Sequence, residues 1–291
     1  MSTDVVRYTA AALSDVGSKR PSNEDAFGYS AEQGVYIVCD GMGGAAAGEI
    51  ASSMAVEVVL HGLSSRAEAQ VPLEHQVAEA IRAANEAIFT RARDNHQLSG
   101  MGTTLVGLVV DGSRVLVFNV GDSRCYIMRR LSSGPSAPEP DNPVPGSPEL
   151  ASPAPDSSEP ASPESASPEE SSAETCRLHQ ISLDHSLVEE QVRMGRMTHE
   201  EAQHANYRNV ITRALGTQPT VEPDIFELQA LPGDVFLLCS DGLTGEISDE
   251  VIETILTADQ PLDELCVNLI EAAKRAGGHD NITCTLIRAE G

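Results

Sequence analysis

The sequence predicts an α+β domain built on antiparallel sheets. Three observations carry this: short apolar runs of strand length, a tight-turn signal joining two of them, and longer segments with apolar residues at helical spacing. The first run, 35–39 (VYIVC), is a strand. Residues 48–63 follow as a helix, with Ile50, Met54 and Val58 in one stripe and Ala51, Ala55 and Val59 beside it. Leu73, Val77, Ala80, Ile81, Ala84 and Ile88 mark a second helix, opened by Pro72, whose ring suits a first helical turn. Residues 103–110 and 114–120 are strands joined through Asp111-Gly112, a strong hairpin signal.

The second half repeats these patterns. Residues 125–131 (CYIMRRL) and 177–183 (RLHQISL) have the look of strands, and 186–195 and 198–205 of short helices. A further apolar strand spans 235–239 (VFLLC). Ser248 is placed to N-cap the next helix by bonding Val251, with Ile252 and Ile255 following. Residues 262–276 form a last helix and 282–287 a closing strand.

Residues 132–175 stand apart. The stretch is almost entirely Ser, Pro, Ala, Glu and Asp, with nine acidic residues from Glu139 to Glu174, no Lys or Arg and no apolar periodicity. Such a stretch cannot bury enough surface to offset its chain entropy, so disorder is expected. Its strand-like flanks make it an insertion at the tip of a β-hairpin within a single domain of residues 1–291. Loop closure entropy grows only logarithmically with length, so this costs little.

Composition narrows the function. Hydrophobic residues make up 41% of the chain, but aromatics only 3%, with no Trp, so the core is aliphatic. The formal charge of −25 argues against binding nucleic acid or an anionic membrane through bulk electrostatics. Six cysteines form no C-x-x-C pair, and Cys39, Cys239 and Cys284 sit inside apolar runs as small core residues of a reducing compartment. No signal peptide and no apolar run near the ~18 residues of a membrane span is visible. The reading is a cytoplasmic monomer.

The chemistry lies in carboxylates. Runs 35–39 and 235–239 lead to Asp40-Gly41 and Asp241-Gly242, each delivering an aspartate at the end of a buried strand with glycine next. A buried carboxylate needs a cation or a hydrogen-bond partner, and glycine lets backbone come close. Asn23-Glu24-Asp25 after Arg20, Gly121-Asp122-Ser123-Arg124, and Gly278-His279-Asp280-Asn281 also stand at strand or loop junctions. Hard oxygen ligands of this kind suit Mg²⁺ or Mn²⁺ and not Zn²⁺. A single Asp-Gly is far more often a turn; order, spacing and identity along the whole chain make the case here.

That order resembles the type-2C, metal-dependent Ser/Thr protein phosphatases (the PPM family). The resemblance rests on Arg20-Pro-Ser-Asn-Glu-Asp25-Ala, Asp40-Gly-Met-Gly-Gly44, Gly48-Glu49 with Ala51, and Gly100-Met-Gly-Thr-Thr104. It continues through Asn119-Val-Gly-Asp-Ser-Arg124, Asp184-His-Ser-Leu187, Ile211-Thr-Arg-Ala-Leu-Gly216, 234–242, and Gly278-His-Asp-Asn281. Together they span about residues 8–288, apart from the insertion, and Asp40-Gly-Met-Gly-Gly44 and the Ile211 motif look like the bacterial branch. The resemblance implies a central sandwich of two antiparallel β-sheets flanked by antiparallel helix pairs. It implies two Mn²⁺ or Mg²⁺ ions and a weaker third. Asp40, Asp241 and Asp280 would hold the first. Asp40 and the Gly41 carbonyl would hold the second, with Glu24 or Asp25 acting directly or through water. Asp122, with Asp241, would form the third site. Arg20 would grip the phosphate.

The partners implied are phosphoprotein substrates, with Ser/Thr kinases and their targets. Met42 stands where many relatives have a His proposed to protonate the leaving group, and Met cannot do so. A metal-bound water is then the leading donor and His279 a weaker one, while His185 and His61 read as structural or surface residues. Residues 195–209, with His199, His204, Tyr207 and Arg208, match the family's flap and are read as shaping substrate choice. The competing readings are a catalytically silent phosphoprotein-binding scaffold of this fold and a hydrolase of another phosphoester.

Overall fold

The computed structural model describes residues 6–64, 71–131, 175–207 and 209–291. Residues 132–174, read above as a disordered insertion, and Arg208 lie outside them. In chain order the strands are β1 Arg7–Asp15, β2 Asp25–Ser30, β3 Val35–Met42, β4 Gly102–Thr103, β5 Leu105–Asp111, β6 Arg114–Val120, β7 Arg124–Leu131, β8 Thr175–Gln180, β9 Asp224–Gln229, β10 Val235–Cys239 and β11 Ile282–Glu290. The helices are α1 Ala45–Leu63, α2 Leu73–Asp94, α3 Leu187–Arg193, α4 His199–His204, α5 Asp241–Thr244, α6 Asp249–Leu256 and α7 Leu262–Ala276.

One sheet runs β1-β11-β10-β7-β8, the other β2-β3-β5-β6-β9 with β4 on the end of β3. The registered pairs are antiparallel. The expected sandwich between helix layers is the architecture found. Tyr36, Val38 and Val117 of one sheet meet Ile127, Phe236 and Ile287 of the other in a shared core. The opposite face of the second sheet (Ile37, Cys39, Phe118) packs on α1 and α2. That of the first (Tyr126, Leu237, Cys284) packs on α6 and α7. Strands covered on both faces bury every side chain, which is why 35–39 and 235–239 are unbroken apolar runs rather than alternating ones. All six cysteines are free and five are buried. Among the described residues no helix is long and apolar enough to cross a membrane.

Several boundaries differ from the sequence reading. β1, β2 and β9 were not expected. All three are half-buried edge strands, so none presents a continuous apolar run. The single strand expected over 103–110 is two, β4 and β5, broken at Thr104 so that β4 pairs with the far end of β3. Ser248 precedes α6 but its side chain makes no cap bond to the helix backbone. Val251 N–H instead reaches the Ser248 carbonyl at 3.0 Å, and the Ser248 hydroxyl is drawn to the Glu250 carboxylate.

Phe118 is fully buried in the core shared with α1 and α2. Phe118→Ala is expected to lower the unfolding free energy by about 3–5 kcal/mol in urea titrations, from lost burial and the cavity left behind.

Candidate active site

Neither Asp-Gly pair is a turn. A Cβ on Gly41 would stand 2.2 Å from the Gly48 carbonyl oxygen, and one on Gly242 1.9 Å from that of Asn281. Neither glycine has a positive φ. Their role is close backbone approach: of the start of α1 to the end of β3, and of α5 to the start of β11.

Asp40 leaves β3 directly opposite Asp25 of β2. Its backbone is clamped by two threonines. Thr104 Oγ1 accepts the Asp40 N–H at 2.9 Å, Thr104 N–H donates to the Asp40 carbonyl at 2.9 Å, and the Thr103 hydroxyl donates to that carbonyl at 2.8 Å. Thr104 also shares a 2.7 Å hydrogen bond with Ser123, next to Asp122. Asp241 begins α5 one residue after Ser240, whose hydroxyl donates to Asp25 Oδ2 at 2.8 Å and accepts the Thr283 N–H at 3.0 Å.

Asp280 accepts from Arg20 Nη2 at 2.6 Å and from the Asn281 N–H at 2.7 Å. The Asn281 side chain fastens the segment bearing Arg20 and Glu24. Its amide donates to the carbonyls of Val16 and Ser22 at 3.0 and 2.9 Å, and its oxygen accepts the Glu24 N–H at 2.8 Å. Buried Asp122 lies behind Asp241. Beyond it Arg124 forks onto Asp184, with Nε and Nη2 at 2.9 and 2.7 Å from Oδ2.

The fold therefore gathers Asp25, Asp40, Asp122, Asp241 and Asp280, with Arg20 and Glu24 at the edge. Burial, then Asp25, Asp241 and Asp122 in turn, hold the Asp40 carboxyl well above the carboxylate range. Burial first, and neighbouring carboxylates after it, push Asp25 and Asp122 up to about 7. Asp241 rises as well, chiefly from burial. Glu24 rises from burial, tempered by Arg20. By surface area Asp25, Asp40 and Asp241 are only half-buried, because each lies deep among protein atoms with one edge open to solvent.

This is the electrostatics of a cation site. Asp25 Oδ1 is buried without a hydrogen-bond partner, and Asp40 and Asp241 stand within hydrogen-bonding reach, which demands a shared proton or a positive charge. The donor set is all oxygen, which fits Mg²⁺ or Mn²⁺. Among the described residues no three His, Cys, Asp or Glu side chains by themselves form a cage for one ion. Any ion held here would need a carbonyl or waters to complete its coordination, as Mg²⁺ commonly does.

His279 turns towards Glu246, whose Oε1 accepts its backbone N–H at 2.9 Å and Nδ1–H at 2.7 Å. Met42 lies against Gly102. In the flap region α4 is closed by a capping box between Thr198 and Glu201, and Met194 and Tyr207 are exposed. Thr103, Thr104, Ser240 and Asn281 support the site although the sequence alone gives them no role. Their signal was a polar residue held at the margin of a buried apolar strand.

Comparison with known proteins shows the family. Residues 17–142 match the family described as protein phosphatase 2C, and residues 197–290 match that of stage II sporulation protein E. The serine/threonine phosphatase stp of Listeria monocytogenes is 32% identical over 281 residues, 95% of this chain and 94% of its own length. The chain belongs to the protein phosphatase 2C family. It is a hydrolase, a protein phosphatase of the bacterial branch. The crystal structure of the Mycobacterium tuberculosis serine/threonine phosphatase PstP/Ppp superposes with a TM-score of 0.76 at 33% identity, covering 98% of this chain and 100% of that one. A structure of the PstP catalytic domain in complex with two manganese ions gives 0.74 at 32% identity, with 98% and 100% covered.

Asn281→Ala leaves three backbone groups without their partner. It is expected to lower the unfolding free energy by ~2–4 kcal/mol, measured by urea unfolding. Asp224 offers a pH test. Its hydrogen bond from His185, and then Arg213, hold its carboxyl down at about 2. A depressed carboxylate stabilises the fold above its unfolded pKa of about 3.9 and loses that contribution as pH falls through the folded value. The stability gap between the native chain and Asp224→Ala is therefore expected to be widest above pH ~5, roughly 1–2 kcal/mol of it from this linkage, and to narrow as pH approaches ~2.

Proposed function

We propose that this phosphatase releases phosphate from phosphoserine and phosphothreonine in proteins at a two-metal Mn²⁺ or Mg²⁺ centre. The single observation behind this is the cluster of mutually destabilised carboxylates with an orphaned Asp25 oxygen, edged by one exposed guanidinium. The relatives named above are serine/threonine phosphatases, which supports the choice of phosphoester.

Asp40, Asp241 and Asp280 would hold the first ion. Asp40 and the Gly41 carbonyl would hold the second, with Glu24 or Asp25 bound directly or through water. Asp122 with Asp241 would make a weaker third site. When bound, the two ions supply a water of lowered pKa as the nucleophile. Arg20 binds the phosphate: half of its side chain is exposed while one Nη is held by Asp280, so the fork is aimed before substrate arrives. With water as nucleophile no phosphoenzyme is required, and Met42 contributes no proton. The scaffold reading is not favoured, because Arg20, Asp40, Asp241 and Asp280 are all present in a chain of this family.

The same proposal extends to reversing Ser/Thr kinase signalling as a cytoplasmic monomer that binds neither nucleic acid nor membrane. It treats 132–175 as an insertion within one phosphatase domain, which is supported by the flanking strands β7 and β8 being sheet neighbours.

Phosphate release from a phosphoserine and phosphothreonine peptide panel, with Mn²⁺ and with chelator, is the test. Turnover should require the metal and be lost in Asp40→Asn. Activity on p-nitrophenyl phosphate with none on any phosphopeptide would overturn the substrate assignment. Arg20→Ala is expected to lower kcat/KM about 10–100-fold, the worth of a charge-assisted hydrogen bond.

A further inference from the structure

Metal and phosphate binding leave unexplained a polar network around buried His185. His185 is 2% exposed and is held on both sides. Its Nδ1 accepts the Gly121 N–H at 3.0 Å, and the His185 backbone N–H donates to the Gly121 carbonyl at 2.9 Å. A ring nitrogen that accepts a backbone N–H carries no proton, so the ring proton sits on Nε2. Nε2 then donates to Asp224 Oδ2 at 3.1 Å. Arg213 Nη1 donates to the other Asp224 oxygen at 2.8 Å and to the Glu222 carbonyl at 3.0 Å. Its 3.1 Å approach to Nε2 is a contact between two donors and not a hydrogen bond.

The two ends of this network matter. Gly121 is the residue before Asp122. On the other side, the His185 carbonyl accepts the Thr212 N–H at 2.8 Å, Ser186 pairs with Ile211, and Leu187 N–H donates to the Val210 carbonyl at 2.9 Å. These bonds close the base of the 187–210 segment, which contains the flap. The outgoing leg runs on to Leu215, paired with Thr103, whose strand partner is Gly41.

We propose that His185 is a positioning residue that ties the Gly121-Asp122 backbone to the base of the flap. Its two ring nitrogens face opposite ways, so one side chain reads both elements. A shift of either is passed to the other through the His185–Asp224–Arg213 chain. The proposal rests on the reading of Asp122 as part of the metal centre and of 195–209 as the flap.

Two substitutions cut one bond each. His185→Asn keeps an acceptor oxygen where Nδ1 stands and loses Asp224. His185→Gln keeps a donor where Nε2 stands and loses Gly121. Steady-state kinetics with Mn²⁺ are measured on a phosphoserine peptide and on p-nitrophenyl phosphate, which is too small to span to the flap, with thermal melts confirming the folded fraction. His185→Gln is expected to lower kcat on both substrates by ~10–100-fold and to weaken Mn²⁺ binding, read by isothermal titration calorimetry, the usual loss when the support of a metal site is removed. His185→Asn is expected to act mainly on KM for the peptide. Asp224→Ala should match His185→Asn, and the double variant should be no worse than either, because both cut the same link. Folded variants with native kinetics, losses equal on both substrates in His185→Asn, or losses that multiply in the double variant would each overturn the proposal. If His185→Gln does not fold, the His185→Asn and Asp224→Ala comparison decides it alone. Failure of the native chain to release phosphate from peptides would instead sink the functional reading beneath it.

Discussion

Repulsion among buried carboxylates is the constraint around which this molecule is built. Asp25, Asp40, Asp122, Asp241 and Asp280 are brought to one place from five separate segments, and burial together with mutual charge raises the proton affinity of Asp25, Asp40, Asp122 and Asp241. Left to itself such a cluster would open towards water. It stays together because each aspartate is rooted in a strand end or strand junction whose apolar body lies in a core: β3 in that of α1 and α2, and β10 and β11 in that of α6 and α7. Hydrophobic burial elsewhere thus holds charges where a divalent cation can be bound.

The small polar residues follow from the same constraint. Thr103 and Thr104 fix the Asp40 backbone, Ser240 supports Asp25, and Asn281 fastens the segment carrying Arg20 and Glu24. Gly41 and Gly242 are there because neighbouring backbone occupies the space of a side chain. Arg124, forked onto Asp184, brings positive charge towards Asp122 and Asp241. Apart from the Gly41 carbonyl, these groups would not bind metal or phosphate, yet without them the carboxylates have no defined geometry.

Strands buried on both faces were legible in the sequence, because two packed faces demand unbroken apolar runs. Val35–Met42 and Val235–Cys239 are of this kind. So was the amphipathic helix Leu73–Asp94, whose apolar stripe recurs every three to four residues. The edge strands Arg7–Asp15, Asp25–Ser30 and Asp224–Gln229 were not, since a half-buried edge needs no such run and its identity lies in its pairing partner. The split at Thr104 was hidden for a related reason: the break is set by the two stretches of β3 that β4 and β5 each pair with.

By itself the sequence determined the residue types of the centre, their order, and their place at the ends of apolar runs, and with these the family and the preference for hard cations. That much is local chemistry: a carboxylate after a buried strand must find a positive partner wherever the strand ends. Only the tertiary structure decided that Asp25 faces Asp40, that both Asp-Gly pairs are close backbone contacts and not turns, and that His185 spans from Gly121 to Asp224. Those facts depend on strand register and on contacts between residues far apart in the chain. The same local sequence could satisfy its hydrogen bonds in more than one way until the two sheets and their helices were packed together.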